Sequence, residues 1–281
     1  MYDLHSHLLP GIDDGAENLD TALAMAREAA AQGVVTMACT PHILPGLFEN
    51  KGPSIRTAVK ELQRHLDDSG ISLQLIAGAE NHVTPDFVGG LRSGRLLSLG
   101  DTRYVLVEPP HHVPPPRLEE LFFSLMLADY VPILTHPERL KWIGDKYDVV
   151  RTLVARGVWT QVTTGSLTGR FGRRAQFWAE RMLAEGCVHV LASDAHNLGR
   201  RPPDFAEGRR AAERLIGDEE AQHLVVTRPG GILDDKAPGD LPAPQGAANP
   251  GDLGGRYEEA RKFGADAGGG VARRLQRLLV G

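Results

Sequence analysis

The chain opens with Asp3-Leu4-His5-Ser6-His7-Leu8-Leu9-Pro10-Gly11-Ile12-Asp13-Asp14-Gly15, around which its other motifs are arranged. The stretch begins as a short strand, and side chains two residues apart on a strand point to the same face. His5 and His7 can therefore bind one cation from one side, because neutral imidazole is a ligand for zinc, manganese and iron. A carboxylate pair, Asp13 and Asp14, follows on a turn bounded by glycines. The alternative is a strand end with two exposed histidines and an Asx turn.

The composition is typical of a globular protein: the 281 residues are 42% hydrophobic and 24% charged, enough for one large domain or two small ones. The net charge of −5 and the lack of a run of Lys and Arg argue against a nucleic-acid partner. We find neither a targeting segment nor an apolar stretch long enough to span a bilayer, and therefore expect a cytoplasmic protein. Cys39 and Cys187, the only cysteines, do not form a Cys-x-x-Cys pair, so no disulfide framework is expected.

Apolar strands and amphipathic helices alternate along the chain. The predicted strands are Met1–Leu4, Val34–Thr40, Ile71–Ala79, Tyr104–Val107, Val131–Thr135, Val158–Val162 and Val188–Ala192. Helical stripes lie between them, the first formed by Leu19, Leu23, Ala26 and Ala30 and ending at Gly33. This alternation predicts a parallel sheet with right-handed crossovers, wound as a closed barrel or as an open doubly wound sheet.

The strand ends favour the barrel. Six of the seven predicted strands end at a residue that can bind a metal, and the remaining one ends in Thr163-Thr164-Gly165-Ser166. Ligands of an open sheet gather at one switch point and involve few strands, whereas closure brings nearly all carboxyl ends onto one rim. We therefore predict an α/β fold, a distorted (β/α)7 TIM-like barrel with one strand fewer than the usual eight.

The candidate metal ligands are five imidazoles and four carboxylates. They are His5, His7, Asp14, His42, Glu80, Glu108, His136, Asp194 and His196. A set of nitrogen and oxygen ligands without thiolate fits manganese, iron or zinc in a catalytic site. Each residue alone could cap a turn, but their coincidence at strand ends favours a metal centre. Three divalent ions would leave the pocket positive and attractive to a phosphate monoester, which is close to a dianion; an uncharged substrate would need only two ions.

The composition changes after Asp235. Residues 236–255 are rich in Pro, Gly and Ala and predict a linker or a disordered segment. Val271, Leu275, Leu278 and Leu279 then form a short helical stripe beside three arginines, which suits a docking helix, a membrane-surface helix or a fraying tail. We therefore divide the chain into a barrel, residues 1–235, and a flexible tail of linker and short helix, residues 236–281.

Several short motifs occur in a characteristic order: DLHSHLLPGIDDG, TPH, GAE, VEPP, THPER, TTGSLTGRFG and ASDAHN. Together they resemble the PHP (polymerase and histidinol phosphatase) superfamily. Within it, they are similar to the bacterial manganese-dependent protein-tyrosine phosphatases of the CpsB/CapC type. The match covers roughly residues 1–235. The resemblance implies the PHP barrel and three divalent ions, manganese first, with iron or zinc as alternatives.

The resemblance also implies how the ligands are shared. One ion would be held by His5, His7, Glu80 and Asp194, a second by Glu80, Glu108 and His136, and a third by Asp14, His42 and His196. Arg139 and Arg201 would face the phosphate as catalytic residues, since the guanidinium fork matches phosphate oxygens. Surface salt bridges are the alternative role for both arginines.

The expected reaction is hydrolysis of phosphotyrosine by a metal-bound hydroxide that attacks phosphorus in line. The tyrosyl phenolate has a pKa of about 10 and needs little protonation, which suits a site with no clear general acid. The resemblance implies a bacterial tyrosine autokinase of exopolysaccharide or capsule regulation as partner, and a homo-oligomer is possible. A cysteine-phosphoenzyme is excluded because neither cysteine has an arginine six positions later, and no Gly-x-Ser-x-Gly elbow occurs.

The sequence departs from the family pattern at the rim. Ile43 replaces a second His that often follows TPH, and Phe48 stands where Tyr is common. His111 and His112 follow Pro109-Pro110 and could be extra acids or ligands, although loop histidines are more often neither. Three other functions therefore stay open: another PHP phosphomonoesterase of the histidinol-phosphatase kind, a metal-dependent nuclease, and a non-catalytic kinase-binding module.

Overall fold

The strands form a curled parallel sheet in the computed structural model, which describes residues 1–246. Their bounds are β1 Tyr2–Ser6, β2 Thr36–Cys39, β3 His42–Ile43, β4 Gln74–Ala77, β5 Glu80–His82, β6 Tyr104–Glu108, β7 Val131–Thr135, β8 Trp159–Thr163 and β9 Val190–Ala192. The order is β1-β2-β4 in one sheet and β3-β5-β6-β7-β8-β9 in the other, and every pair is parallel. The predicted α/β fold is confirmed. The predicted C-terminal helix lies outside the described residues.

The two sheets are parts of one curled wall. β2 and β3 follow each other within one stretch of chain, and so do β4 and β5, so the nine strands occupy seven positions. The outer strands β1 and β9 also meet: the amide of His7 donates to the carbonyl of Ala195 and that of Asp194 to the carbonyl of His5, both at 2.9 Å. These contacts bring the first and last strand ends to the same rim.

Each of the two breaks in the wall lies at a residue of special backbone chemistry, a proline in one case and a glycine in the other. Pro41, between β2 and β3, has no amide hydrogen to donate. Gly78 lies between β4 and β5, and a side chain there would be crowded: its Cβ would lie 3.0 Å from Leu99 and 3.1 Å from Thr40. After the breaks, β3 and β5 pair so that His42 lies opposite Glu80. Two candidate ligands are thus neighbours across the sheet.

Helices cover the outside of this wall. They are α1 Leu19–Ala31, α2 Gly52–Asp68, α3 Phe87–Arg92, α4 Leu118–Leu127, α5 Ile143–Ala155, α6 Thr164–Leu167, α7 Gly172–Ala184, α8 Phe205–Ile216, α9 Asp218–Gln222 and α10 Arg228–Leu233, with a π-helical turn at His223–Thr227. Short 3₁₀ turns lie at Leu99–Asp101, Pro137–Arg139 and Pro238–Asp240. Within residues 1–246, no helix is long and apolar enough to cross a membrane.

Helix α1 shows how packing corrects a local pattern. Asn18 caps its first turn by accepting a 2.9 Å hydrogen bond from the amide of Thr21. Its buried residues are Ala22, Met25, Ala26 and Ala29, whereas Leu19, Leu23 and Ala30 are only partly buried. The helix is therefore rotated from the predicted stripe, and three of its four buried residues are alanines.

The last described residues run along the amino-terminal end of the barrel. The hydroxyl of Tyr104 donates to the carbonyl of Lys236 at 2.8 Å, and Leu241 packs against the core cluster that contains Tyr104 and Trp159. The guanidinium of Arg228, which is fully buried, donates to the carbonyls of Pro242 (2.7 Å) and Ala243 (3.0 Å). This segment is thus held by a buried charge.

Candidate metal centre

The carboxyl ends of the strands bring all nine predicted ligands together. Their ligand atoms fall into four overlapping groups, in each of which all atoms lie within 4.8 Å of one another. The groups are His5, His7, Glu80 and Asp194; His7, Asp14, His42 and His196; His42, Glu80 and Glu108; and Glu108, His111 and His136. His111 is the one member that lies outside the nine predicted ligands.

The orientation of the first two imidazoles is set by neighbours. His5 Nδ1 lies 2.9 Å from Gln161 Oε1, and His7 Nδ1 lies 2.7 Å from Asp13 Oδ2. Since an amide or carboxylate oxygen accepts a hydrogen bond, both Nδ1 atoms carry the hydrogen in the neutral ring. The Nε2 lone pairs of both rings are therefore directed into the centre. A hydrogen-bonded Nδ1 is the usual arrangement of a metal-ligating histidine.

These lone pairs meet other acceptors. His5 Nε2 and His7 Nε2 are 3.3 Å apart, and Glu80 Oε2 lies 3.2 and 3.4 Å from them. Asp194 Oδ1, at 3.5 and 3.3 Å from the same nitrogens, is buried and makes no hydrogen bond. Four converging acceptors are costly in a buried site unless a cation or protons lie among them. The donor set therefore fits a divalent ion.

Asp14 connects the second group to solvent. Its Oδ1 lies 3.4 Å from His42 Nε2 and 3.3 Å from His196 Nε2, and its side chain is half exposed. The Nδ1 of His196 lies 3.0 Å from the carbonyl of Asp194, which leaves Nε2 free to act as a ligand. The ring of Phe48 stacks on His42 at 5.4 Å between centroids, so the family's aromatic position covers this side of the site.

Glu80 connects the remaining groups. Its Oε1 lies 2.7 Å from His136 Nε2, whereas its Oε2 lies 3.1 Å from His42 Nδ1 and 3.2 Å from His5 Nε2. Glu108 lies on the far side, with Oε1 3.9 Å from His136 Nε2 and Oε2 3.3 Å from His42 Nδ1. The two oxygens of Glu80 thus face different sets of imidazoles, as those of a bridging carboxylate do.

Two candidate ligands have backbone conformations that are unusual outside glycine. His136 has φ = 32° and Asp194 has φ = 52°, both in the left-handed region. Proline follows His136 and disfavours a helical conformation there, which adds to the strain. Strained residues of this kind cost about 1–3 kcal/mol each and cluster at functional sites. His136 directly follows β7, Asp194 lies two residues after the end of β9, and both aim a side chain into the centre.

The carboxylates of the site are ionised at neutral pH, whereas its imidazoles differ from one another in pKa. Burial would raise the pKa of Glu80, but His5, His136 and His42 hold it well below the usual range. The pKa of His136 is lowered to about 4 by burial and by Arg139, and that of His196 to about 4 by burial and by His7. Burial would lower the pKa of His5, His7 and His42, but the neighbouring carboxylates raise all three, that of His42 to about 10. Since metals bind neutral imidazole and ionised carboxylate, a cation would displace the protons of these three rings.

The two predicted arginines meet on one oxygen. Arg139 Nη1 and Arg201 Nη2 both donate to Asp194 Oδ2, the latter at 2.5 Å. Both guanidinium carbons lie over the ring of Phe171, at 4.5 and 5.9 Å from its centroid. Gly165 leaves room for that ring, since a Cβ there would lie 3.0 Å from it. Two positive charges are thus held at the edge of the metal groups.

Sequence reasoning missed the residues that orient the ligands. Asp13 had a signal, because it is the first carboxylate of the opening Asp-Asp pair. Gln161 lies on β8, whose end offers no ligand, and nothing in its local pattern shows that it reaches His5. Phe171 belongs to the TTGSLTGRFG motif, but its contact with two arginines depends on the packing of α7. Ile43 is simply a buried core residue.

The comparisons with known proteins agree with this geometry. The family model described as "Capsular polysaccharide synthesis, CpsB/CapC" matches residues 1–234. Tyrosine-protein phosphatase YwqE of Bacillus subtilis is 36% identical over 219 residues, which are 78% of this chain and 86% of that protein. Tyrosine-protein phosphatase CpsB of Streptococcus pneumoniae is 28% identical over 241 residues, 84% of this chain and 99% of that protein.

A solved structure is also similar. It comes from work on YwqE of Bacillus subtilis and CpsB of Streptococcus pneumoniae, described there as metal-dependent tyrosine phosphatases. It superposes with a TM-score of 0.83 at 33% identity and covers 88% of this chain and 99% of its own. The sequence motifs, the fold and the family model agree. The chain therefore belongs to the CpsB/CapC family of capsular polysaccharide synthesis.

Proposed function

We propose that this protein is a metal-dependent protein-tyrosine phosphatase, a phosphoric monoester hydrolase. The observation that carries the proposal is the placement of Arg139 and Arg201 on Asp194, beside buried acceptors that converge without hydrogen-bond donors. Such a site offers places for cations and positive groups for phosphate oxygens together. The relatives named tyrosine-protein phosphatase supply the substrate class.

We assign three divalent ions to the centre, with manganese as the native metal and iron or zinc as alternatives. The nine ligands would be shared as the family resemblance implies: His5, His7, Glu80 and Asp194; Glu80, Glu108 and His136; Asp14, His42 and His196. The two oxygens of Glu80 contact His5 and His136 separately, which supports a bridge between the first and second ions. The charge of three divalent ions is larger than that of the four carboxylates, which leaves a net charge of about +2 that favours binding of a phosphate dianion.

The chain's own residues would bind and orient the phosphate. Bound divalent ions lower the pKa of coordinated water and neutralise phosphate oxygens. Arg139 and Arg201 would donate to the remaining phosphate oxygens and stabilise the charge that spreads over them in the transition state. Asp194 and the ring of Phe171 hold both guanidinium groups in place beforehand, so little reorganisation is needed.

The rim supports an aromatic leaving group. Leu47, Val113 and Leu198 are large apolar residues that are 67%, 65% and 48% exposed. They lie on the loops after β3, β6 and β9, on the side of the barrel where the metal groups lie. A tyrosine ring and its flanking residues would find apolar contacts there. The phenolate leaves with little protonation, because its pKa is about 10.

We place the protein in the cytoplasm and propose a bacterial tyrosine autokinase of capsule or exopolysaccharide synthesis as its substrate. The family model's description supports the pathway, and two free, buried cysteines suit a reducing compartment. A flexible tyrosine-containing segment would fit between the loops after β3, β6 and β9, which surround the metal groups. Residues 1–235 would be the catalytic unit, with the remaining residues as an appended tail.

The test is phosphate release from a phosphotyrosine peptide by the full chain after chelation, with and without added manganese. We expect manganese-dependent turnover, with phosphoserine peptide and histidinol phosphate turned over far more slowly. Turnover that persists after chelation would contradict the metal requirement. Preference for histidinol phosphate would contradict the substrate class.

A further inference from the structure

A tenth side chain faces the metal groups beside the nine predicted ones. His111 Nε2 lies 3.3 Å from Glu108 Oε1, and its ring centroid is 5.1 Å from that of His136. The ligand atoms of these three residues all lie within 4.8 Å of one another. His111 follows the VEPP motif and belongs to the loop after β6, where the sequence departs from the family pattern.

The backbone of this loop is fixed from two sides. The carbonyl of Pro110 accepts a 3.0 Å hydrogen bond from the indole nitrogen of Trp142, which is buried. The carbonyl of His111 accepts a 2.8 Å bond from the amide of Lys141. Because both carbonyls are held by the segment that precedes α5, the His111 imidazole is presented to the centre by a supported backbone.

The two oxygens of Glu108 face different neighbours. Oε2 lies 2.8 Å from His82 Nε2 and 3.3 Å from His42 Nδ1. Oε1 lies 3.3 Å from His111 Nε2 and 3.9 Å from His136 Nε2. His111 therefore shares the oxygen on the His136 side, whereas His82 is a partner of the opposite oxygen. His111 is thus close to two predicted ligands of the same ion, Glu108 and His136, and not only to the Glu108 carboxylate.

We propose that His111 is a protein ligand of the divalent ion assigned to Glu80, Glu108 and His136, which gives that ion a fourth protein ligand. The inference rests on the proposed metal centre and adds a residue that the resemblance does not assign. A neutral imidazole strengthens binding of the ion without changing the net charge that attracts phosphate. Since the His111 side chain is 30% exposed, this ligand lies at the solvent side of the site.

The test is manganese binding, measured by titration calorimetry on the chelated full chain. We expect His111→Ala to weaken the binding of one ion at least about tenfold and to leave the others unchanged. His111→Gln keeps an amide donor for Glu108 but is a poor ligand, so it should show the same loss. His112→Ala is the matched control, because His112 is exposed on the same loop and lies outside the metal groups.

Binding by His111→Ala within twofold of wild type would overturn the inference, and so would recovery of affinity in His111→Gln. An unchanged manganese titration with a raised KM for phosphotyrosine peptide would also overturn it, since His111 would then contact the substrate. A wild-type chain that binds no manganese would instead refute the proposed metal centre. The thermal midpoint of each chelated variant checks that the loop change leaves the fold intact.

Discussion

Asp13 Oδ2 lies 2.7 Å from His7 Nδ1, and this contact determines which nitrogen of His7 faces the metal groups. The same carboxylate accepts from the amide of Gly15 at 3.0 Å and from the amide of His42 at 3.1 Å. It therefore holds the opening loop against the start of β3 as well as orienting a ring. Its neighbour Asp14 is half exposed and faces His42 and His196 instead. Two adjacent carboxylates thus have different tasks.

Asp13→Ala is expected to weaken manganese binding by about 10- to 100-fold, because partners that orient a metal-ligating histidine have effects of this size. Titration of the chelated protein measures the change. Glu17→Ala, an exposed acidic residue of the same loop, is the control and should bind as wild type does. Equal affinity in the two variants would show that His7 needs no orienting partner.

Arg201→Ala is expected to lower kcat/KM for phosphotyrosine peptide by about tenfold or more, since a hydrogen bond to a charged group contributes about 1.5–3 kcal/mol. Arg200→Ala is the matched control, because Arg200 is exposed beside it. Steady-state kinetics with saturating manganese distinguish the two. An equally small decrease in kcat/KM in both variants would contradict a role for Arg201 in phosphate binding and leave it a salt-bridge role only.

Phe171→Leu is expected to raise KM about three- to tenfold, because the ring supports both Arg139 and Arg201 through cation–π contacts. Manganese affinity should not change, since the ring lies outside the metal groups. Phe123→Leu on α4, where Phe123 is 58% exposed, is the matched control. An altered manganese titration in Phe171→Leu would mean that the ring supports the metal ligands rather than the arginines.

His189 is expected to make stability depend on pH. Burial, together with Arg228, lowers its pKa from 6.5 to about 3, and its Nδ1 accepts a 3.1 Å hydrogen bond from the amide of Thr160. The unfolded chain therefore binds a proton below pH 6.5 that the folded chain does not. The free energy of unfolding should fall as pH decreases from 6.5 towards 3, by up to about 1.4 kcal/mol per pH unit.

The measurement is urea unfolding of wild type and His189→Asn between pH 7.5 and 5. The asparagine oxygen can accept the Thr160 bond but does not titrate in this range. The difference between the two proteins isolates the His189 contribution from that of the other titrating groups. Parallel pH profiles would contradict the lowered pKa.

A chain ending at residue 235 is expected to lose about 1–3 kcal/mol of stability, because the buried Arg228 keeps its ion pair with Glu220 but loses the carbonyls of Pro242 and Ala243. The packing of Leu241 on the core is lost too. A chain ending at residue 246 keeps these contacts and is the control. Equal urea midpoints for the two truncations would support a domain boundary directly after residue 235.

Much of the centre could be predicted because most of the ligands lie at or near the carboxyl end of a predicted strand. His5, His42, Glu80 and His136 were placed on one rim by the alternation of strands and helices, and their side chains do meet there. The buried face of α1 was misplaced by about one residue, and it carries Ala22 and Ala29 rather than the leucines. Local periodicity indicates that a helix exists, but the surface it packs against selects its buried face.

The alternation of strands and helices, the chemistry of the ligands and the rim on which they gather follow from local patterns, because a parallel strand places its carboxyl end in one direction whatever its partners. The selection of Asp13 and Gln161 as orienting groups, the sharing of Asp194 by two arginines and the approach of His111 to Glu108 do not. Some of these contacts join residues far apart in sequence, as that of Gln161 with His5 does, and others depend on the path of one loop, as that of His111 with Glu108 does. Such contacts depend on how the elements pack, which no single segment encodes.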